Sequence, residues 1–142
     1  MTAHVAVEEF WGSPVSAAMS ASRRRRGKRA YCAGIAAEEQ VASDYLRRGF
    51  SEVGRRWRGQ RGEIDLVMRT GDALVFVEVK QSKTFDRAAE SLSARQIERI
   101  CGAAEEFLGS MPLGQLTEMR FDAALVDGTG AIRILENAFG GF

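Results

Sequence analysis

The chain has 142 residues, 20 Lys/Arg against 19 Asp/Glu and a net charge of +1, with 45% hydrophobic and 27% charged residues: one ordinary globular domain's worth. No stretch approaches the ~18 unbroken apolar residues of a membrane span, and the basic run starts only at Arg23, the reverse of a secretory signal's order, so a cytoplasmic location is expected. Cys32 and Cys101 lie far apart with no Cys-x-x-Cys, which disfavours a zinc site or disulfide framework, and the single histidine, His4, disfavours chemistry built on a histidine base.

In chain order, residues 1–30 show no sustained periodicity and are rich in Ala, Ser and Arg, so they read as a mobile basic extension, with Met19 a second possible start. Residues 31–142 form the folded domain. From Ala33 to Arg48 a helical stripe carries Ile35, Ala42, Tyr45 and Leu46, and Gly49 stops it. Glu38 and Glu39 flank that stripe at about equal angles from Ala42, so the period leaves open which of them turns inward. Phe50–Arg58 follows as a first strand.

The next two strands carry the strongest chemical signal. Folding Glu63–Arg69 back onto Leu74–Lys80 about Thr70-Gly71-Asp72-Ala73 puts Asp65 opposite Glu78, Glu63 opposite Lys80 and Val67 opposite Phe76. Ile64/Val79, Leu66/Val77 and Met68/Val75 then pair on a wholly apolar face. Directly opposed strand residues have Cβ atoms ~5 Å apart, and like charges there destabilise. The Asp65/Glu78 pair therefore calls for a compensating cation, and hard cations such as Mg²⁺ prefer carboxylate and water oxygens.

Lys80 to Ser91 has no clean period and reads as a mobile loop on the substrate side. Ser93-Ala94-Arg95-Gln96 fits a capping box, after which Ile97, Ile100, Cys101, Ala104 and Leu108 follow helical spacing. This helix is expected on the sheet's apolar face, with Cys101 as a small core residue. Met119–Val126 and Ala131–Leu135 read as strands about the turn Asp127-Gly128-Thr129-Gly130. The order α, β, β, β, α, β, β gives an α/β fold with a mixed five-stranded sheet flanked by helices.

Charge is unevenly spread. Residues 23–61 hold 12 Lys/Arg against 4 Asp/Glu, whereas residues 62–142 hold 8 against 13. A basic half beside an acidic half is what a phosphate-binding surface around a carboxylate metal site produces. Within the basic half, Arg55, Arg56, Arg58 and Arg61 are the candidate nucleic-acid contacts. Trp57 among them has three readings, stacking on a base, packing in the core or lying at an exposed sheet edge. For Asp122, structural hydrogen bonding is favoured over a place among the site acids.

The segments Arg61-Gly62-Glu63-Ile64-Asp65-Leu66, Phe76-Val77-Glu78-Val79-Lys80, Arg120-Phe121-Asp122 and Glu136-Asn137-Ala138-Phe139, in that order, resemble the YraN-like family of bacterial proteins. The resemblance covers roughly residues 34–139 and includes Glu39, Ala42, Tyr45-Leu46 and Gly49. That family is related to archaeal Holliday-junction resolvases and the PD-(D/E)xK nucleases, which implies a restriction-endonuclease-like core. It further implies that Asp65 and Glu78 ligate Mg²⁺ or Mn²⁺, that Lys80 is the catalytic lysine, and that Glu39 is the helix-borne third ligand. The family often has Asn where this chain has Arg56, and often a basic residue where it has Gln81.

The implied function is a metal-dependent endonuclease acting on DNA phosphodiesters, with branched or structured DNA as the expected substrate. Resolvases commonly act as dimers because a junction has two symmetric scissile sites, so a homodimer is the assembly to test. The alternative from another class is a nucleic-acid-binding or adaptor protein that keeps the fold without turnover.

Overall fold

The computed structural model describes residues 21–139, with side chains from Ala33 onward. Residues 1–20 of the expected extension lie outside the described residues. Residues 21–30 already belong to the first helix, α1 (Ala21–Arg47), which therefore begins twelve residues ahead of the expected Ala33. The end of α1 follows the local sequence closely. Gly49 adopts φ +94°, and the amides of Gly49 and Phe50 donate to the carbonyls of Leu46 and Tyr45 at 3.0 and 3.1 Å. The Phe50 ring meets the Tyr45 ring edge-on at 5.2 Å. Together these form a Schellman closure with its apolar contact.

Five strands follow: β1 (Ser51–Arg58), β2 (Glu63–Thr70), β3 (Ala73–Gln81), β4 (Met119–Val126) and β5 (Ile132–Leu135). They lie side by side in chain order; β3/β4 is parallel and the other pairs antiparallel. This is the expected mixed five-stranded α/β sheet, consistent with a restriction-endonuclease-like core. The β3–β4 crossover contains α2 (Phe85–Glu90) and α3 (Ala94–Leu108). α2 replaces the loop expected after Lys80. Thr84 caps it, accepting from the Arg87 amide at 3.1 Å, and the Arg133 guanidinium covers the Phe85 ring at 4.6 Å. One turn and a half of helix is too short for periodicity to reveal.

Both faces of the sheet are packed. Leu66, Met68, Val75 and Val77 meet Ala37, Val41, Ala42 and Tyr45 of α1. On the other face Val67, Leu74, Phe76 and Phe121 meet Ile100, Ala103, Ala104 and Phe107 of α3. The face expected for α3 thus belongs to α1, and α3 covers the opposite one. Alternation names Leu66, Met68, Val75, Val77 and Val79 of that face correctly, but it also places Ile64 there, which packs on the other face, and does not show that Val67, Leu74 and Phe76 line a second core. Trp57 packs here, edge-on to Phe107 at 5.4 Å, half-buried on the edge strand β1. Cys101 is half-buried at the margin of the same cluster.

On β4, opposite Val77 of β3, Asp122 is fully buried and accepts from the Tyr45 hydroxyl at 2.7 Å, from Arg120 Nε and Nη2 at 3.0 and 3.1 Å, and from the Asn137 amide at 3.0 Å. The Ala138 amide donates to the Phe121 carbonyl, and Phe139 stacks on Phe121 at 5.4 Å. The segments Arg120-Phe121-Asp122 and Asn137-Ala138-Phe139 therefore form one structural clasp that ties α1, β4 and the C-terminal turn together. Asp122 has the structural role favoured from sequence.

Candidate active site

The β2/β3 hairpin keeps the expected register from Thr70/Ala73 through Leu66/Val77 and then stops. The turn is the two residues Gly71-Asp72, with Gly71 at φ +60°. Beyond Leu66/Val77 the strands separate, and Asp65 Oδ2 accepts the Val79 amide at 2.8 Å. A side chain thus replaces the backbone partner there. Consequently Ile64/Val79 and Glu63/Lys80 are not paired as expected; Glu63 sits opposite Arg58 of β1 and meets its guanidinium at 3.5 Å.

A second irregularity faces the first. In β1, Arg55 pairs with Leu66 and Trp57 with Ile64, which leaves Arg56 across from Asp65. Arg56 has φ +53°, a left-handed conformation uncommon outside Gly and tolerated best by Asn, Asp and His. The two strands switch faces around this point. Residues two apart normally share a face, yet Leu66 packs toward α1 while Ile64 and Trp57 pack toward α3.

The kink and the splay bring several charges together. The Asp65 and Glu78 carboxyl groups line the same cleft, close enough to act on each other electrostatically, and Glu78 is buried. Burial first, and Asp65 second, hold the Glu78 carboxyl well above the usual carboxylate range, with Lys80 near enough to act in the opposite sense. Gln96, at the start of α3, donates through Nε2 to Glu78 Oε2 at 3.2 Å. Half of the expected capping box is therefore present: Ser93 Oγ accepts the Gln96 amide at 3.1 Å, while the Gln96 side chain is engaged at Glu78.

The helix-borne acid that joins this cluster is Glu38. Its carboxylate accepts from Arg56 Nε at 2.7 Å, both partners buried, and its pKa is pushed up to about 7, by burial first and by Asp65 next, against the opposing pull of Arg56. Glu39, which the resemblance implied as the third ligand, is 65% exposed and lies 3.8 Å from Arg55. The helix turns it away from Asp65, because Ala37, Glu38, Val41, Ala42 and Tyr45 form the buried stripe. Among the described residues, no group of three or more acids, histidines or cysteines is arranged to hold one metal ion. Asp65 and Glu78 are the pair that remains.

A cleft of about 740 Å³ opens over this pair, lined among others by Asp65, Glu78, Gln96, Arg58, Arg61 and Arg99. Its rim is the β1–β2 loop, Gly59–Gly62, which is latched to α3. Glu106 accepts the amides of Gln60 and Arg61 at 2.8 and 2.6 Å, and Arg61 Nη1 donates to Glu105 at 2.7 Å. Gly62 is required where the loop crosses α3: a Cβ there would lie 2.8 Å from the Arg99 carbonyl oxygen. Of the four arginines expected at nucleic acid, Arg58 and Arg61 reach the cleft. Arg56 is committed to Glu38, and Arg55 lies toward α1, bonded to Glu52 at 2.8 Å. Gln96 and Arg99, one helical turn apart on α3, were not found from sequence. Their shared three-residue spacing was the available signal.

The sequence model of the family described as "Uncharacterised protein family UPF0102" matches residues 37–126. A UPF0102 protein of Ruegeria pomeroyi is 64% identical over 115 residues, covering 81% of this chain and 94% of its own. One from Cereibacter sphaeroides is 57% identical over 113 residues, 80% and 97% of the two chains, and one from Dinoroseobacter shibae 49% identical over 119 residues, 84% and 89%. The matched segment contains the α1 acids, the β2–β3 carboxylates, Lys80, Gln96 and Asp122, and on this coverage the chain belongs to the UPF0102, or YraN-like, family.

Proposed function

We propose that this protein is a divalent-cation-dependent endonuclease that hydrolyses DNA phosphodiesters, with branched or otherwise structured DNA as its substrate and the cytoplasm as its place of work. The observation that carries this reading is that Asp65 and Glu78 line one cleft together with Arg58, Arg61 and Arg99. Two carboxyl groups brought together out of water favour either a shared proton or a cation. The donor set suits a hard cation: Mg²⁺ is commonly held by one or two carboxylates, with waters and substrate phosphate completing its shell.

Asp65 and Glu78 would hold Mg²⁺ or Mn²⁺, which when bound polarises a phosphoryl oxygen and lowers the pKa of water. The chain's own groups do the rest. Arg58, Arg61 and Arg99 seat the phosphate backbone at the cleft mouth. Lys80 offsets negative charge that builds on the phosphoryl oxygens in the transition state. Gln96 fixes the orientation of Glu78, as outer-shell partners of metal-binding carboxylates do, and the Val79 amide does the same for Asp65. The Glu106 latch holds the arginine-bearing loop over the cleft.

A second reading, DNA binding without turnover, draws on the commitment of Glu38 to Arg56, which leaves two acids rather than three for a cation. One experiment separates the two. Four-way junctions, flaps, single strands and duplex are incubated with the protein over a titration of Mg²⁺ and Mn²⁺. Cleavage that needs the cation and falls at least about a hundredfold in Asp65→Asn and Lys80→Ala supports the endonuclease. Equal inactivity of all three proteins, with equal DNA binding, transfers the function to the binding module.

A further inference from the structure

Arg56 is the cation already built into the acidic cluster, and its conformation says that the fold holds it there against local preference. An arginine at φ +53° within a strand gives up favourable backbone geometry. Its guanidinium is buried, and its Nε meets Glu38 Oε1 at 2.7 Å. The residue stands across from Asp65, at the point where both strands switch faces. Glu38 lies close enough to Asp65 and Glu78 for the three acids to act on one another electrostatically.

We infer that the Arg56–Glu38 ion pair limits the affinity of the Asp65/Glu78 pair for divalent cations by withholding Glu38 from it. Arg56 acts in two ways. Its charge opposes a second cation nearby, and its hydrogen bond fixes the Glu38 carboxylate on itself. The inference rests on the proposed cation site, and it makes Arg56 a positioning residue that sets cation affinity rather than a contact to DNA. This reassigns a residue expected at the phosphate backbone to the interior of the site.

Asparagine is the substitution that suits the backbone at this position, since it accepts a left-handed φ. Arg56→Asn therefore keeps the kink, removes the charge and frees Glu38. Mn²⁺ binding is followed at pH 7.5 by calorimetry and by the Mn²⁺ electron paramagnetic resonance signal, without DNA. Arg56→Asn should bind Mn²⁺ roughly tenfold more tightly than the unaltered protein, the order expected when one unit charge ceases to repel a divalent cation through partly solvated protein. Arg56→Asn combined with Glu38→Gln should lose that gain, and Asp65→Asn should abolish binding in every background. Circular dichroism and thermal melting confirm that each variant is folded, and Arg56→Lys, which keeps the charge, serves as the control that should not gain affinity.

Unchanged or weaker Mn²⁺ binding in folded Arg56→Asn overturns the inference while leaving the cation site intact. So does a gain that survives Glu38→Gln. If neither the unaltered protein nor Arg56→Asn binds Mn²⁺, the cation site itself fails and the inference falls with it. Binding by Arg56→Asn alone upholds the inference and overturns the metal-dependent reading for the natural chain.

Discussion

Among the described residues, two buried carboxylate clusters sit on this sheet, and they differ in how completely their charges are answered. Asp122 accepts four hydrogen bonds, from the Tyr45 hydroxyl, two Arg120 nitrogens and the Asn137 amide, and has no exposed surface. Glu78 instead shares an open cleft with another carboxyl group, that of Asp65, which opposes its charge, and accepts a hydrogen bond from the Gln96 side-chain amide. A charge that the fold satisfies internally is structural. A pair that the fold brings together and leaves for a ligand is where function is expected. Both clusters come from the segments that carry the family resemblance, so membership of a motif does not distinguish them; their hydrogen-bond inventories do.

That contrast can be broken from either side. The largest stability effect is expected at the clasp: Asp122→Ala strips four donors of their acceptor and leaves Arg120 without its buried counter-charge, at about 3–5 kcal/mol in denaturant unfolding. Asp65→Asn and Lys80→Ala should leave unfolding nearly unchanged, yet lower cation-dependent cleavage at least about a hundredfold, or roughly 2.7 kcal/mol of transition-state stabilisation. A loss of stability without a loss of activity in those variants would reverse the assignment. Tyr45→Phe removes one donor from Asp122 and should cost about 1–2 kcal/mol, measured in the same unfolding assay.

The smallest effect is in pH dependence. Glu38, Glu63 and Glu78 all have carboxyl groups raised above the ordinary value, by burial first and by the Asp65 carboxylate next. In the window from about 4.5 to about 7, set by Glu38, the folded chain holds protons that the unfolded chain has released. Stability from these groups is therefore present at the acid end and declines as pH rises through the folded value. Glu38→Gln should flatten that decline in thermal melts recorded across the window. A stability that instead climbs with pH over the same range, and does so through these residues, would contradict the burial argument.

Much of the scaffold was legible in the sequence because it obeys simple periods. Leu66, Val67 and Met68 against Val77, Phe76 and Val75 fall in the expected register, Gly49 ends α1, and Ser93 caps α3. The site was less legible, because it is built where the periods fail. Strand alternation sets Asp65 facing Glu78 across a continuous ladder, whereas the ladder ends one pair earlier and the carboxylate takes the Val79 amide. Helical periodicity placed Glu38 and Glu39 at equal angles; packing of Ala37, Val41 and Tyr45 decided for Glu38. Gln96 carried a capping signal that concealed its bond to Glu78. Arg56 carried only its charge, and nothing in the single sequence announces a positive φ within a strand.

The measurement that tests the central claim most directly is Glu78→Gln followed in two assays at once, denaturant unfolding and Mg²⁺- or Mn²⁺-dependent cleavage of branched DNA. The substitution keeps the shape of the side chain and its contact with Gln96 while removing the charge that a cation needs. The account predicts an unfolding midpoint at or above that of the unaltered protein, because burial and Asp65 already disfavour the Glu78 carboxylate, together with loss of cleavage. A Glu78→Gln protein that is clearly destabilised yet cleaves as well as the unaltered chain would contradict it, and would place Glu78 with Asp122 among the residues that hold the fold.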